Sequence, residues 1–317
     1  MENIKETRDE ISEKSRAFLE EKILPGLARV PRIVETVVPL EGFRTRLCGV
    51  KTESGERFYA RFITTRSETV KMWRIQQLLD SQGCAVAKPM KMAPCPRFLG
   101  ASCVILEEWI GGRTINPTNA TAETAALLGR RAAEIHNVLA AQLPVPRLRR
   151  PFMPAKILRK SAKRLRSIRK HNSSYFGRAE LSAIRAFFGT FRAVMRRQDI
   201  WCWAHNKFQD GNVMRDDSGN IAVIDLATFA PGHPVKDIMW AIQSILGANS
   251  LFVQRLLDAY FDASRLVTRE HFEEVKDFFE ALYILRLHAQ RVRVAAKKKL
   301  PIDNDGTLTD FVTARRV

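Results

Sequence analysis

Cysteine is scarce and scattered in this chain. It has five, Cys48, Cys84, Cys95, Cys103 and Cys202, and no C-x-x-C pair. That pattern argues against a zinc site and fits reduced thiols in a cytosol. Long apolar runs are missing too. None approaches the roughly 20 residues a spanning helix needs, so no transmembrane segment is expected. Residues 1–22 are dense in charge and lack an apolar signal core, so no secretory leader is expected. A third absence is local: residues 135–179 contain no Asp or Glu. The same stretch holds twelve cations, Arg147, Arg149, Arg150, Lys156, Arg159, Lys160, Lys163, Arg164, Arg166, Arg169, Lys170 and Arg178. They make up two-thirds of a net charge of +18. A block of one sign repels itself and concentrates anions, so an acidic partner is expected there; a merely solvated face is the plainer alternative.

What is present is ordinary globular material: 317 residues, 45% hydrophobic and 27% charged, enough for two packed units. The first 24 residues read as a helix with charged faces, closed by Pro25-Gly26. Residues 33–63 follow a β pattern, with strands at 47–50 and 57–63 around the turn Glu53-Ser54-Gly55-Glu56. Ser67 and Glu68 open a helix that runs to Leu79. Apolar segments follow at 86–92 and 102–106, then Glu107-Glu108-Trp109-Ile110-Gly111-Gly112. Beyond Gly112 the period becomes helical, over 122–139, 156–170 and 178–197. Short strands at 213–214 and 221–224 flank an Asp216-Asp217-Ser218-Gly219 turn. The C-terminus is helical from 236 to about 299, broken near Gly247 and again at 264–268.

The most informative segment is Trp203-Ala204-His205-Asn206-Lys207-Phe208-Gln209-Asp210-Gly211-Asn212, followed by Val223-Ile224-Asp225. It resembles the catalytic segment of the aminoglycoside phosphotransferase branch of the kinase-like superfamily, H-x-D-x-x-x-x-N and then an apolar strand ending in Asp. His205, Asn212 and Asp225 match. Lys207 stands where the family has its catalytic Asp. The resemblance runs over roughly residues 37–242. It implies an α+β, bilobal kinase-like fold, with a β-rich N-terminal lobe over 1–109 and a helical lobe over 110–317 that carries the catalytic loop, the metal-binding segments and the basic helix 156–170.

The resemblance also implies roles. Asn212 and Asp225 would offer oxygen ligands to Mg²⁺, a hard cation. Arg61 falls where the phosphate-binding cation of the nucleotide flap lies, and guanidinium suits bidentate phosphate contact; a surface strand Arg is the alternative. Gly42 lies in the flap turn. Glu108, Trp109 and Ile110 match the hinge that would meet adenine, so ATP and Mg²⁺ are the cofactors implied. His205 would brace the loop. The family's helix Glu, partner of the flap cation, is replaced by Met72, with Glu68 one turn earlier as a substitute. An ammonium at Lys207 cannot accept a proton from an acceptor hydroxyl while it stays charged. Asp210 is a displaced base or a loop cap. Asp237, in Gly232-His233-Pro234-Val235-Lys236-Asp237, would support the loop from below.

Two readings stay open. One is an ATP/Mg-dependent phosphotransferase acting on a small-molecule or anionic sugar or lipid-linked acceptor, with weakened catalysis. The other is a pseudokinase module whose basic face recruits an anionic partner. Helix 156–170 also suits an anionic membrane surface; burial of its apolar face within the fold is the alternative. The expected location is cytoplasmic, with peripheral attachment to the inner face of a membrane as the variant. Nucleic acid is disfavoured, because the basic block lacks interleaved aromatics.

Overall fold

Alternating apolar residues drive the first sheet. Phe58, Ala60 and Phe62 point to one face of strand 57–63, where they join Val50, Val104 and Leu106 in a core. The computed structural model describes residues 16–24, 33–37, 45–52, 55–96 and 100–315, with backbone alone for 33–37 and 45–48. Its five-stranded antiparallel sheet is built from β1 (Ile33–Val37), β2 (Thr45–Thr52), β3 (Arg57–Ile63), β4 (Pro89–Pro94) and β5 (Cys103–Glu108), in the order β1-β2-β3-β5-β4. Residues 16–24 are helical, with one π turn at Leu19–Ile23, and bury Phe18, Leu19, Ile23 and Leu24 in the same core. The rest of the expected leading helix, and Gly42, lie outside the described residues. Helix α1 (Arg66–Ser81) buries Met72, Ile75 and Leu79 and packs against β3, β4 and β5.

Contacts divide the chain into two units, one formed by Met1–Arg113 with Val213–Ala227, the other by Thr114–Asn212 with Thr228–Val317. The inserted piece of the first unit is a hairpin of Val213–Arg215 with Ile221–Val223. Val223 forms a parallel bridge with Val86, its N–H donating to the Ala85 carbonyl at 3.0 Å. Gly112, at φ +103°, passes the hairpin closely; a Cβ there would lie 2.1 Å from the Arg215 carbonyl oxygen.

The second unit is helical: α2 (Ala122–Gln142), α3 (Met153–His171), α4 (Arg178–Gln198), α5 (Pro234–Ser244), α6 (Ser250–Ala263), α7 (Arg269–Lys298) and α8 (Thr307–Ala314). Helices α2 and α6 meet most intimately, and Gly129 permits it, since a Cβ would lie 2.2 Å from the Leu256 carbonyl oxygen. Helix α3 packs on α7 and buries Met153, Ile157, Leu165 and Ile168. Its apolar stripe is therefore part of the protein core, and only its polar side is open to a partner. Arg164 departs from the expected basic face: it is half-buried and donates Nη1–H to the Leu282 carbonyl at 2.8 Å. Arg159, Lys160, Lys163 and Arg166 are exposed.

Candidate active site

In the first unit, strand register creates a buried charge cluster. Arg61 of β3 and Glu107 of β5 are diagonal neighbours, Tyr59 standing opposite Glu107. Arg61 Nε donates to Glu107 Oε1 at 3.2 Å and Nη2 to Oε2 at 3.4 Å, a bidentate pair with both side chains under a tenth exposed. Its Nη1 reaches Asp225 Oδ1 at 3.5 Å. Burial alone would lower the guanidinium pKa; Glu107 and Asp225 overcome this and hold it above its ordinary value. Arg61 is thus not a surface strand arginine. Its partner also differs from the expected one. Glu68 is bonded to the Thr65 hydroxyl at 2.8 Å, and Met72 is fully buried core, so no α1 carboxylate meets Arg61.

Asp225 follows the strand Ile221–Val223 and takes φ +59°, a left-handed conformation that a short polar side chain tolerates. Its carboxylate is a quarter exposed. Lys71 of α1 donates to the Ala227 carbonyl at 3.2 Å, and burial first of all lowers its pKa. Sequence reasoning missed both Glu107 as partner and Lys71. At the expected hinge, the Glu108 N–H is taken by the Lys88 carbonyl at 2.9 Å. The Trp109 ring stacks on Tyr59 with centroids 4.2 Å apart, and Arg57 lies over it.

In the second unit, strand Cys202–Ala204 pairs with Ala230–Gly232 and launches the loop 205–212. Asp237, in the first turn of α5, is fully buried beneath it. Its carboxylate accepts the N–H of His205 at 2.6 Å and of Asn206 at 2.7 Å, and contacts His136 Nε2 at 3.3 Å. Burial would raise the Asp237 pKa, but the His136 hydrogen bond and nearby cations leave it below its usual value. Asn206, at φ +65°, is locked from both ends of its amide. Its Nδ2 donates to the Ala204 and Ala230 carbonyls, and its Oδ1 and main-chain oxygen accept from Lys236 Nζ at 3.0 and 2.7 Å. His205 is buried, and its Nδ1 contacts the Lys207 N–H and the Thr228 hydroxyl, each at 3.3 Å.

Lys207 is exposed, and its carbonyl accepts from Asn212 Nδ2 at 2.9 Å. That bond fixes the Asn212 amide and leaves Oδ1, which no other described residue engages, for an outside ligand. Asp210 is exposed as well. Its N–H donates to Ser244 Oγ at 3.3 Å, and its charge acts on Tyr283 and Arg286. The structure thus gathers Arg61 and Asp225 in the first unit, and His205, Lys207, Asp210 and Asn212 on one loop of the second. His233 is a buried N-cap bonded to Gln198 at 3.2 Å, not a metal ligand. Among the described residues, no group of three or more His, Cys, Asp or Glu could hold a metal ion.

A model of the "Phosphotransferase enzyme family" matches residues 36–278. No curated protein matches the sequence significantly. Among solved structures, an amicoumacin kinase in complex with AMP-PNP, Ca²⁺ and Ami is similar at 14% identity, with TM-score 0.68 over 98% of this chain and 94% of that one. An APH(2″) in complex with GDP and kanamycin is similar at 14% identity, with TM-score 0.63 over 96% of this chain and 100% of that one. A choline kinase from Cryptosporidium parvum gives 14% identity and TM-score 0.59, over 96% of this chain and 93% of that one. These likenesses identify the fold as α+β and kinase-like.

Proposed function

The chain belongs to the phosphotransferase enzyme family, and from that premise we propose that it binds a nucleoside triphosphate with Mg²⁺ and serves a small-molecule or anionic sugar or lipid-linked acceptor with weakened catalysis. The observation that carries the nucleotide part is the Glu107–Arg61–Asp225 cluster. A buried guanidinium held rigid by one carboxylate, with a second, partly exposed carboxylate beside it, offers a phosphate ligand and a cation ligand side by side. Asp225 in the first unit and the amide oxygen of Asn212 in the second are each oxygen donors of the kind a hard divalent cation takes. When bound, Mg²⁺ supplies neutralisation of the phosphate charge. The similar amicoumacin kinase and APH(2″) structures hold AMP-PNP with Ca²⁺ and GDP respectively, which supports a purine nucleotide with a divalent cation; ATP is the nucleotide proposed.

Within this reading Arg61 orients phosphate oxygens, and Asp237 and Lys236 hold the loop in place through main-chain groups of His205 and Asn206. Glu108, Trp109 and Ile110 line the adenine end. Lys207 places an ammonium where the family's base would take the acceptor proton. It can attract phosphate but, while charged, cannot accept that proton. The pseudokinase reading, binding without turnover, rests on this one substitution. The anionic acceptor follows from the acid-free basic block and the exposure of Arg159, Lys160, Lys163 and Arg166. Isothermal calorimetry with Mg·ATP, run beside an ATP-turnover assay, tests the proposal. Binding that disappears in Asp225→Ala and weakens less in Arg61→Ala is expected. No heat from Mg·ATP with the unmutated protein would end the nucleotide reading.

A further inference from the structure

Three helices of the second unit bring four cations together. Lys160 and Arg164 stand one turn apart on α3, Lys236 lies in the first turn of α5, and Arg286 is midway along α7. Arg164 bonds the Leu282 carbonyl, one turn before Arg286. Lys236 Nζ lies 4.9 Å and Arg286 Cζ 6.0 Å from the centroid of the Trp240 ring. Tyr283 meets the same ring edge-on, with centroids 5.2 Å apart. These charges feel one another. Burial first, then Arg286, pushes the Arg164 pKa down to about 10. Burial first, then Lys156 and Arg164, lowers Lys160. Lys236 is lowered chiefly by burial, with Lys160, Arg164 and Arg286 adding to it.

Acid near the cluster is sparse. Asp237 is already committed to the His205 and Asn206 N–H groups, and Asp210 acts on Arg286 from the loop. No ion pair among the described residues involves Lys160, Arg164 or Arg286. Converging like charges in a half-buried setting raise the energy of the fold, and an anion between them lowers it again. Guanidinium pairs suit a phosphate, and the buried Trp240 ring, 1% exposed, is the fixed surface against which Lys236 and Arg286 are held. The cluster is also tied to the loop 205–212: Lys236 bonds the Asn206 carbonyl, and Ser244 Oγ links the Trp240 carbonyl at 2.7 Å to the Asp210 N–H.

We propose that Lys160, Arg164 and Arg286, around the Trp240 ring, form an acceptor subsite for a phosphate monoester. This deepens the anionic-acceptor reading above and rests on it; it does not depend on the nucleotide. The ester could be carried by a soluble sugar or by a lipid headgroup, and the chemistry recognised is the same.

The test is calorimetry on the full chain without nucleotide or metal, using glucose 6-phosphate, vesicles containing phosphatidic acid, glucose, and the cationic kanamycin. Saturable binding of a phosphate monoester, and none of glucose or kanamycin, is expected. Tighter binding to the vesicles would identify a lipid-borne ester, and binding of the sugar phosphate alone a soluble one. Arg286→Gln and the double variant Lys160→Gln/Arg286→Gln should weaken it by about 10- to 100-fold, the worth of one or two charge-assisted hydrogen bonds. Circular dichroism and melting confirm that these variants fold; Lys160→Gln alone, at an exposed position, is the reserve if Arg286 proves structural. Arg196→Gln/Arg197→Gln, an equal charge change at exposed positions of α4, is the control. The proposal is overturned if neither ester binds, or if the control lowers affinity as much as the cluster variants do. Ester binding that depends on Arg286 in a protein that ignores Mg·ATP would keep this subsite and remove the nucleotide reading instead.

Discussion

Glu107→Leu is the sharpest perturbation the first unit offers. Glu107 and Arg61 are 3% and 6% exposed, so removing the carboxylate leaves a guanidinium buried, with Asp225 at 3.5 Å as its counter-charge. Breaking a buried pair from one side typically costs about 3–5 kcal/mol. Asp225 offsets part of that, so a loss of about 3 kcal/mol is expected. Arg61→Met/Glu107→Leu removes both charges and fills the space with apolar atoms; it should come within about 1 kcal/mol of the native protein. Relative to Glu107→Leu alone, the added Arg61→Met change should therefore restore about 2 kcal/mol, the sign of strong coupling between residues in contact. With two units in one chain, a global melt would mix their contributions. Hydrogen exchange of the β3 and β5 amides reads the first unit alone, and Glu107→Leu should speed their exchange by roughly 10²-fold. The double variant should exchange almost natively, yet fail to bind Mg·ATP. A single variant that exchanges at native rates, or a double variant as damaged as the single, would refute the view that the pair holds a costly charge in place for use.

Other expectations concern the second unit. Lys207→Asp should raise acceptor-dependent turnover, by up to about 10²–10⁴-fold if the missing base is what limits the reaction; unchanged turnover in the presence of a bound acceptor would show that it is not. Asp237→Ala strips the acceptor from two main-chain N–H groups, at about 1–3 kcal/mol for each left unsatisfied. Exchange of the His205 and Asn206 amides should therefore rise, and a native pattern would count against Asp237 as the loop's support. Burial, reinforced by His136 and His271, pushes the His233 pKa to about 3, well below an ordinary histidine, and His288 is shifted in the same direction, burial again first. The unfolded chain then binds more protons than the folded one between about pH 6.5 and 3. The contribution is complete above about pH 6.5 and is lost as pH falls, at about 1.4 kcal/mol per pH unit for His233. Urea midpoints measured from pH 7 to 4.5 should decline, and less steeply in His233→Leu.

Much of this architecture could be read from the chain because its periodicities are strong and local. Strand Arg57–Ile63 and the helix starts at Ala122 and Arg178 lie where alternation and the 3.6-residue repeat put them. The loop from His205 to Asn212 sits between strands Cys202–Ala204 and Val213–Arg215, as its flanking apolar residues imply. The Arg61–Glu107 pair was not legible, because it depends on which residues of two strands face each other across 46 positions of sequence. Hydrophobic alternation fixes that register only once the whole sheet is formed. Arg164 misled for a related reason. A long cationic side chain on the margin of an apolar stripe can go to solvent or inward, and here the Leu282 carbonyl decides. The short α8 was hidden because eight residues give barely two turns of pattern.

The division of the chain carries a consequence for how the protein comes into being. The first unit is not an N-terminal fragment: its hairpin Val213–Ala227, which supplies the bridge to Val86 and the carboxylate beside Arg61, arrives after residues 114–212 have been made. At about 5–20 residues per second, a ribosome that has finished Arg113 needs roughly another 6–23 s to reach Ala227. Throughout that delay the nascent β-rich unit has Arg61 and Glu107 but lacks Asp225 and the Val223 edge contact. A gene cut at Arg113 would leave its product permanently in that incomplete state, so the two units are inseparable by truncation although they are distinct by contact.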